Sequence, residues 1–143
     1  VERPRPAGEK VGEATDEKAQ YESALGLLQE RQYDQAATTL REFLDRYPQS
    51  RYTPNVWYWL GEAHYVRRRI PEALEAFRHV PDLYPNSPKA PDALLKIGFI
   101  LDEQGERDRA RDTLNDLIDR YPKSSAAYLA EKRLQEWSRT PIR

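Results

Sequence analysis

Ser50, Ser87 and Ser124, the two imidazoles of His64 and His79, and 24 carboxylates are among the side chains of this 143-residue chain that could attack a substrate or move a proton. Hydrolysis of the serine type needs one serine, activated by a histidine that an acid orients. Here the three serines recur inside one repeated phrase, Tyr-Pro-x-Ser, as turn residues do and a unique nucleophile does not. The carboxylates alternate with 23 Lys and Arg at the outward spacings of amphipathic helices, which describes a solvated face rather than an acid–base pair. With no Cys there is no disulfide, thiolate metal site or cysteine nucleophile, and two histidines cannot build a multi-His metal centre. The residues therefore predict a chain that is not an enzyme, with no catalytic residue, no metal and no cofactor. His64 falls on the inward side of its helix and reads as a core residue.

A formal charge of -1 supplies no net field toward nucleic acid or an anionic membrane, so neither a nucleic-acid partner nor membrane insertion is expected. A mean hydropathy of -0.93 and apolar runs of only a few residues fall short of the roughly 20 apolar residues that a spanning helix needs. The chain opens on Val1 and has no Met, as an excised or processed piece would.

The elements that would carry any function are legible as a repeat. Arg46-Tyr47-Pro48-Gln49-Ser50, Leu83-Tyr84-Pro85-Asn86-Ser87 and Arg120-Tyr121-Pro122-Lys123-Ser124 are one phrase recurring every 37 residues. Ala24, Gly61 and Gly98 keep the same register, as do Ala36, Ala73 and Ala110, and Leu40, Phe77 and Leu114. Within a unit the apolar spacing is helical: Trp57, Leu60, Gly61 and His64 follow i, i+3, i+4, i+7, as do Leu94, Ile97, Gly98 and Leu101. Each unit is thus a helix pair, and the small residues at 24, 61 and 98, facing Ala36, Ala73 and Ala110, would let the pair approach closely.

Punctuation sets the boundaries. Residues 1–14, with Pro4, Pro6, Gly8 and Gly12, read as a flexible linker. Thr53 is placed to N-cap a helix that has Pro54 at its first position, and Pro71 and Pro91 open the next two. Helices are predicted near 16–30, 34–46, 54–68, 71–83, 90–104, 107–120 and 125–138, in repeats of about 16–52, 53–89 and 90–124. The last helix has no partner and would cap the stack, with Ala126, Ala127, Leu129, Ala130 and Leu134 inward; 139–143 would be a tail.

A small residue, an alanine twelve positions on and a proline twelve beyond it, as in Gly61, Ala73 and Pro85, is the arrangement of the tetratricopeptide repeat, lengthened here by three residues in the turn. The fold class this implies is all-α, a tetratricopeptide-repeat solenoid of three helix-turn-helix units and a C-terminal capping helix in a right-handed superhelix. The phrases WYWLGEAHY at 57–65, YPNSPKAPDALLKIG at 84–98 and YPKSSAAYLAEKRL at 121–134 resemble the C-terminal domain of the YbgF or CpoB family of the Tol-Pal system. That resemblance implies a periplasmic location, an upstream coiled coil that trimerises the whole protein, binding of TolA, and a link between peptidoglycan synthesis and outer-membrane constriction in cell division. It leaves the present chain expected as a monomer. A repeat module of another outer-membrane assembly factor and a self-assembly module are the rival readings.

Three residues depart from the repeat pattern. Arg31 and Arg68 stand where Gly105 stands in the third unit, at a turn that favours a left-handed residue. Pro81 lies inside a predicted helix, where its missing N–H abandons the carbonyl of Phe77, so that helix is expected to kink or stop early.

In stacked repeats the first helix of each pair lines the concave surface, and its inward positions read Lys18, Tyr21, Leu25 and Leu28, then Asn55, Tyr58, Glu62 and Tyr65, then Asp92, Leu95, Phe99 and Asp102. This apolar and acidic mixture does not suit a basic clamp for a C-terminal carboxylate, because Tyr21, Leu25 and Glu62 stand where the clamp needs Lys and Asn. It suits an extended or helical partner segment with apolar anchors. Tyr21, Leu25, Tyr58, Glu62, Tyr65, Leu95, Phe99 and Asp102 are the candidate partner-binding residues, with Tyr58, Tyr65 and Phe99 as anchors and Glu62 and Asp102 steering a cationic segment. Packing between neighbouring units is the competing role for each aromatic.

Overall fold

The computed structural model describes residues 11–139, with side chains from Asp16 onward. Among the described residues seven helices follow one another: α1 (Val11–Gln29), α2 (Tyr33–Arg46), α3 (Thr53–Val66), α4 (Ile70–Leu83), α5 (Lys89–Glu103), α6 (Arg107–Arg120) and α7 (Ser125–Arg139). Among the described residues there is no strand. Each first helix packs on its own second helix, α1 on α2, α3 on α4 and α5 on α6, and each second helix packs on the next first helix. The first helices also touch one another, α3 with α5 and α5 with α7, whereas α2, α4 and α6 make no comparable contact among themselves. The stack therefore closes along the first helices and opens along the second, which makes α1, α3, α5 and α7 the inner face.

Three left-handed residues turn the hairpins: Arg31 at φ 61°, Arg68 at φ 59° and Gly105 at φ 81°. Each hairpin closes with the same pair of backbone bonds. Arg31, Arg68 and Gly105 donate to the carbonyls of Leu28, Tyr65 and Asp102, and Gln32, Arg69 and Glu106 to those of Leu27, His64 and Leu101. This is the Schellman ending of a helix, expected at a glycine and held twice here by arginine.

Between repeats the serines serve the turns. Ser50 Oγ accepts from the Tyr52 N–H at 3.0 Å, Ser87 Oγ from the Lys89 N–H at 3.1 Å, and Ser124 Oγ from the Ala127 N–H at 3.0 Å. Thr53, expected as an N-cap, is instead the first residue of α3; it is buried and its hydroxyl donates to the Tyr47 carbonyl. The preceding Ser50 already satisfies the turn, which frees Thr53 to pack.

Pro81 does not stop α4. The helix runs two residues further and ends at Leu83, the position at which α2 and α6 end at Arg46 and Arg120. Only the final turn lies beyond the proline, and it is held by the burial of Phe77, Val80 and Pro81 and by the Tyr84 N–H on the Val80 carbonyl at 2.8 Å. The Pro81 carbonyl also accepts from Arg120 at 3.3 Å.

Residues 11–14, expected as linker, belong to α1. Extending a helix whose nucleus is already packed costs little, and Glu13 and Ala14 are good helix formers. Residues 1–10 of the expected linker, and 140–143 of the tail, lie outside the described residues.

Two apolar clusters run through the stack. Tyr21, Ala24, Leu40, Phe43, Val56 and Leu60 centre the first; Phe77, Val80, Leu94, Ile97, Leu114 and Trp137 centre the second, and Trp57 and Trp59 pack against both. The nearest neighbours of the small column are the larger residues of the facing helix: a Cβ on Gly61 would meet the Phe77 ring, and one on Gly98 the Leu114 side chain first and then the Ala110 carbonyl at 3.7 Å. In α7, Ala126, Ala127, Ala130 and Trp137 are buried, while Leu129, expected inward, is 46% exposed. Leu129 stands 37 residues after Asp92 and 74 after Asn55, so it continues the inner face rather than the packed one.

Candidate partner-binding face

The inner face is built by neighbouring first helices that are stitched together at a separation of 34 residues. Asn55 Nδ2 donates to Tyr21 Oη at 3.3 Å, Lys96 Nζ lies 3.1 Å from a carboxylate oxygen of Glu62, and the Arg133 guanidinium sits 4.1 Å from the centre of the Phe99 ring. Equivalent helices are 37 residues apart, so 34 places each partner one helical turn back on the next helix. The stagger brings side chains together that the repeat register alone would not pair.

The eight candidate residues divide by burial. Tyr21 and Tyr58 are core residues, at 9% and 8% exposed. Tyr21 stacks on Tyr52 at 4.5 Å between ring centres; Tyr58 meets Phe77 edge-on at 5.4 Å, with Lys89 Nζ 4.5 Å from its ring. Burial first, then the charges of Glu62 and Asp92, push the Tyr58 hydroxyl well above the usual tyrosine range, so it stays neutral. Leu25, Glu62, Tyr65, Leu95, Phe99 and Asp102 remain partly accessible.

The two acids expected to steer a partner are already matched within the chain. Glu62 makes its charge contact with Lys96, and Asp102 accepts from Arg107 at 3.0 Å with Arg133 at 3.9 Å. Tyr65 donates to Glu103, and that bond raises its hydroxyl pKa. The accessible apolar surface of this face thus includes Leu25 and Leu28 on α1, Tyr65 on α3, Leu95 and the open part of Phe99 on α5, and Leu129 on α7, beside ion pairs made within the chain.

Sequence reasoning missed Lys96, Arg133 and the contribution of α7. A scan for opposite charges at 34 residues would have found Glu62 and Lys96, but only the one-turn stagger makes that separation meaningful. No group of three or more His, Asp or Glu among the described residues could hold a metal. His64 is buried with both ring nitrogens unpartnered, and no acid is placed to orient it for base catalysis.

The tetratricopeptide-repeat family matches residues 21–88 and again 92–124. The cell division coordinator CpoB of Pseudomonas putida is 36% identical over 63 residues, 43% of this chain and 24% of that protein. The CpoB of Escherichia coli is 39% identical over 46 residues, 32% of this chain and 18% of that protein. The matched stretch is thus a quarter or less of these curated relatives. The crystal structure of MamA superposes with a TM-score of 0.63 over 83% of this chain and 68% of its own, at 20% identity, a likeness of fold. Seven helices, three identical hairpin turns and both family matches make this chain a member of the tetratricopeptide-repeat family, with repeats similar to those of cell division coordinator CpoB.

Proposed function

We propose that this chain is a non-enzymatic protein-interaction module of the cell-division machinery, working in the periplasm as part of the Tol-Pal system. Its inner face takes a helical or extended segment of TolA, and through that contact the whole protein coordinates outer-membrane constriction with the peptidoglycan synthesis machinery. The observation that carries this reading is the set of accessible apolar side chains, Leu25 on α1, Leu95 and Phe99 on α5 and Leu129 on α7, presented by the inner helices of CpoB-like repeats. An apolar strip with its flanking charges already paired favours an amphipathic helical stalk over a strongly charged tail. No helix among the described residues is long and apolar enough to cross a membrane.

Calorimetric titration with the soluble helical stalk of TolA tests the reading. The parent chain should bind, and a Leu95→Ala, Phe99→Ala variant with unchanged circular dichroism should bind at least tenfold more weakly, as loss of about 1.4 kcal/mol or more of apolar contact requires. Equal binding by both would move the interface off this face, and no binding by either would leave the envelope-assembly and self-assembly readings. Sedimentation separates those two, since a concentration-dependent mass belongs only to self-assembly and the present reading expects a monomer.

A further inference from the structure

On the opposite side of the stack, where the second helices stand apart, a hollow of about 390 Å³ opens between α4 and α6. This is within the ~300–1,000 Å³ of ligand-sized clefts. Its floor is the outer edge of α5, with Leu94, Ile97 and Leu101. Arg78, Asp82 and Asp112 stand on the rim.

The preceding repeat shows what such a place accommodates. Thirty-seven residues before Leu94 stands Trp57, and 37 before Asp116, another lining residue, stands His79. The Trp57 indole lies flat on the His79 ring, with centres 3.8 Å apart and planes 10° from parallel. At the second junction the indole has become a leucine and its stacking partner an aspartate, so the chain no longer supplies its own aromatic ring.

The rim adds a charge preference. Arg109 is bound to Glu106 at 2.7 Å, and Arg120 to Asp116 at 3.2 Å and to the Pro81 carbonyl. Among the described residues Asp82 and Asp112 make no ion pair, and both are exposed. Arg78 is free in the same sense and can cover an inserted ring with its planar guanidinium.

We propose that the hollow between α4 and α6 is a second docking site, which takes one aromatic side chain of a partner protein flanked by Lys or Arg. The ring replaces the missing indole on Leu94, Ile97 and Leu101, and the flanking cations meet Asp82 and Asp112. The site does not depend on the inner-face reading, and it lets one module hold two partners on opposite sides.

Methyl-resolved NMR of the full chain, titrated with N-acetyl-Lys-Trp-Lys-amide and in parallel with N-acetyl-Lys-Ala-Lys-amide, tests it. The tryptophan peptide should give saturable shifts at Leu94, Ile97 and Leu101 that the alanine peptide does not. Leu94→Trp restores the chain's own indole and should abolish them. The Asp82→Lys, Asp112→Lys variant changes only exposed positions and should weaken binding about fivefold or more; it carries the decision if Leu94→Trp does not fold. Absence of saturable shifts there, equal shifts from both peptides, shifts confined to Leu95 and Leu129 on the inner face, or undiminished binding by the double lysine variant would each overturn the proposal. A concentration-dependent mass in sedimentation that Leu94→Trp removes would assign the hollow to a second copy and overturn it as well.

Discussion

A methyl group built on Gly61 would lie 2.7 Å from Cδ1 of Phe77, closer than two carbons approach in a relaxed core, so the first two-helix contact of the second repeat leaves no room for any side chain at 61. The first repeat has Ala24 and Leu40 in these two columns, both fully buried in one cluster. Gly61→Ala therefore sets a gain in helix propensity of about 1 kcal/mol against overpacking, and the rigid phenyl ring decides the sign. A net loss of about 1–2 kcal/mol is expected in urea unfolding. Adding Phe77→Leu, the first repeat's solution, should make the double variant more stable than the sum of the single effects; strict additivity would refute the contact as the cause.

Arg31 and Gly105 occupy the same left-handed turn position; Arg31 is exposed, and a Cβ on Gly105 would meet nothing within 4 Å. Arg31→Gly should stabilise by about 1 kcal/mol, raising Tm by about 3 °C, and Gly105→Ala should destabilise by a similar amount. Arg68→Gly is expected to gain less, because the Arg68 guanidinium also lies 5.2 Å from the Tyr65 ring centre. Calorimetric melts of the three variants check the order.

His64 contributes a pH dependence whose sign is set by its burial. Desolvation first, then Arg41, Arg67 and Arg69, lower its pKa below the ordinary 6.5, against a smaller opposing effect of Glu72. The unfolded chain then takes up the proton more readily than the folded one. The stability from the neutral ring is present above about pH 6.5 and is lost as pH falls below it toward the depressed value. The third repeat has Leu101 in this column. His64→Leu should remove this contribution and stabilise by about 1 kcal/mol at neutral pH by deleting two unpartnered buried nitrogens. Urea midpoints of parent and variant at pH 7.5 and 5 measure both effects.

Arg133 joins three groups, lying over Phe99 and within ion-pair distance of Asp102 and Glu136. Arg133→Ala should cost about 1 kcal/mol through the cation–π contact, with little from the half-exposed ion pairs. It also uncovers Phe99, so if the inner face is the docking surface, partner affinity changes while Asp119→Ala, at an exposed position of the outer helix α6, leaves it unchanged. Paired calorimetric titrations distinguish the two.

Much of the fold was legible because it is local. The 37-residue period, the helix pairs, the serine turns and the left-handed places at Arg31, Arg68 and Gly105 follow from spacing and from what each backbone position demands, and the helices appear within a few residues of where they were placed. Pro81 misled because its local cost is real but falls in a final turn that tertiary burial holds in place. Thr53 misled because a cap residue and a buried first-turn residue look alike in sequence.

The face that meets a partner was legible only as a set of positions. Which of them are accessible depended on how far each first helix slides along the next: one turn of stagger matches Glu62 with Lys96 and covers Phe99 with Arg133, while core packing buries Tyr58 against Phe77. No periodicity within a helix encodes that displacement, because it is set by side-chain packing between helices far apart in the chain. The same holds on the other side, where the change from Trp57 to Leu94 is plain in the sequence, but only the separation of α4 from α6 makes the loss of an indole into an open hollow.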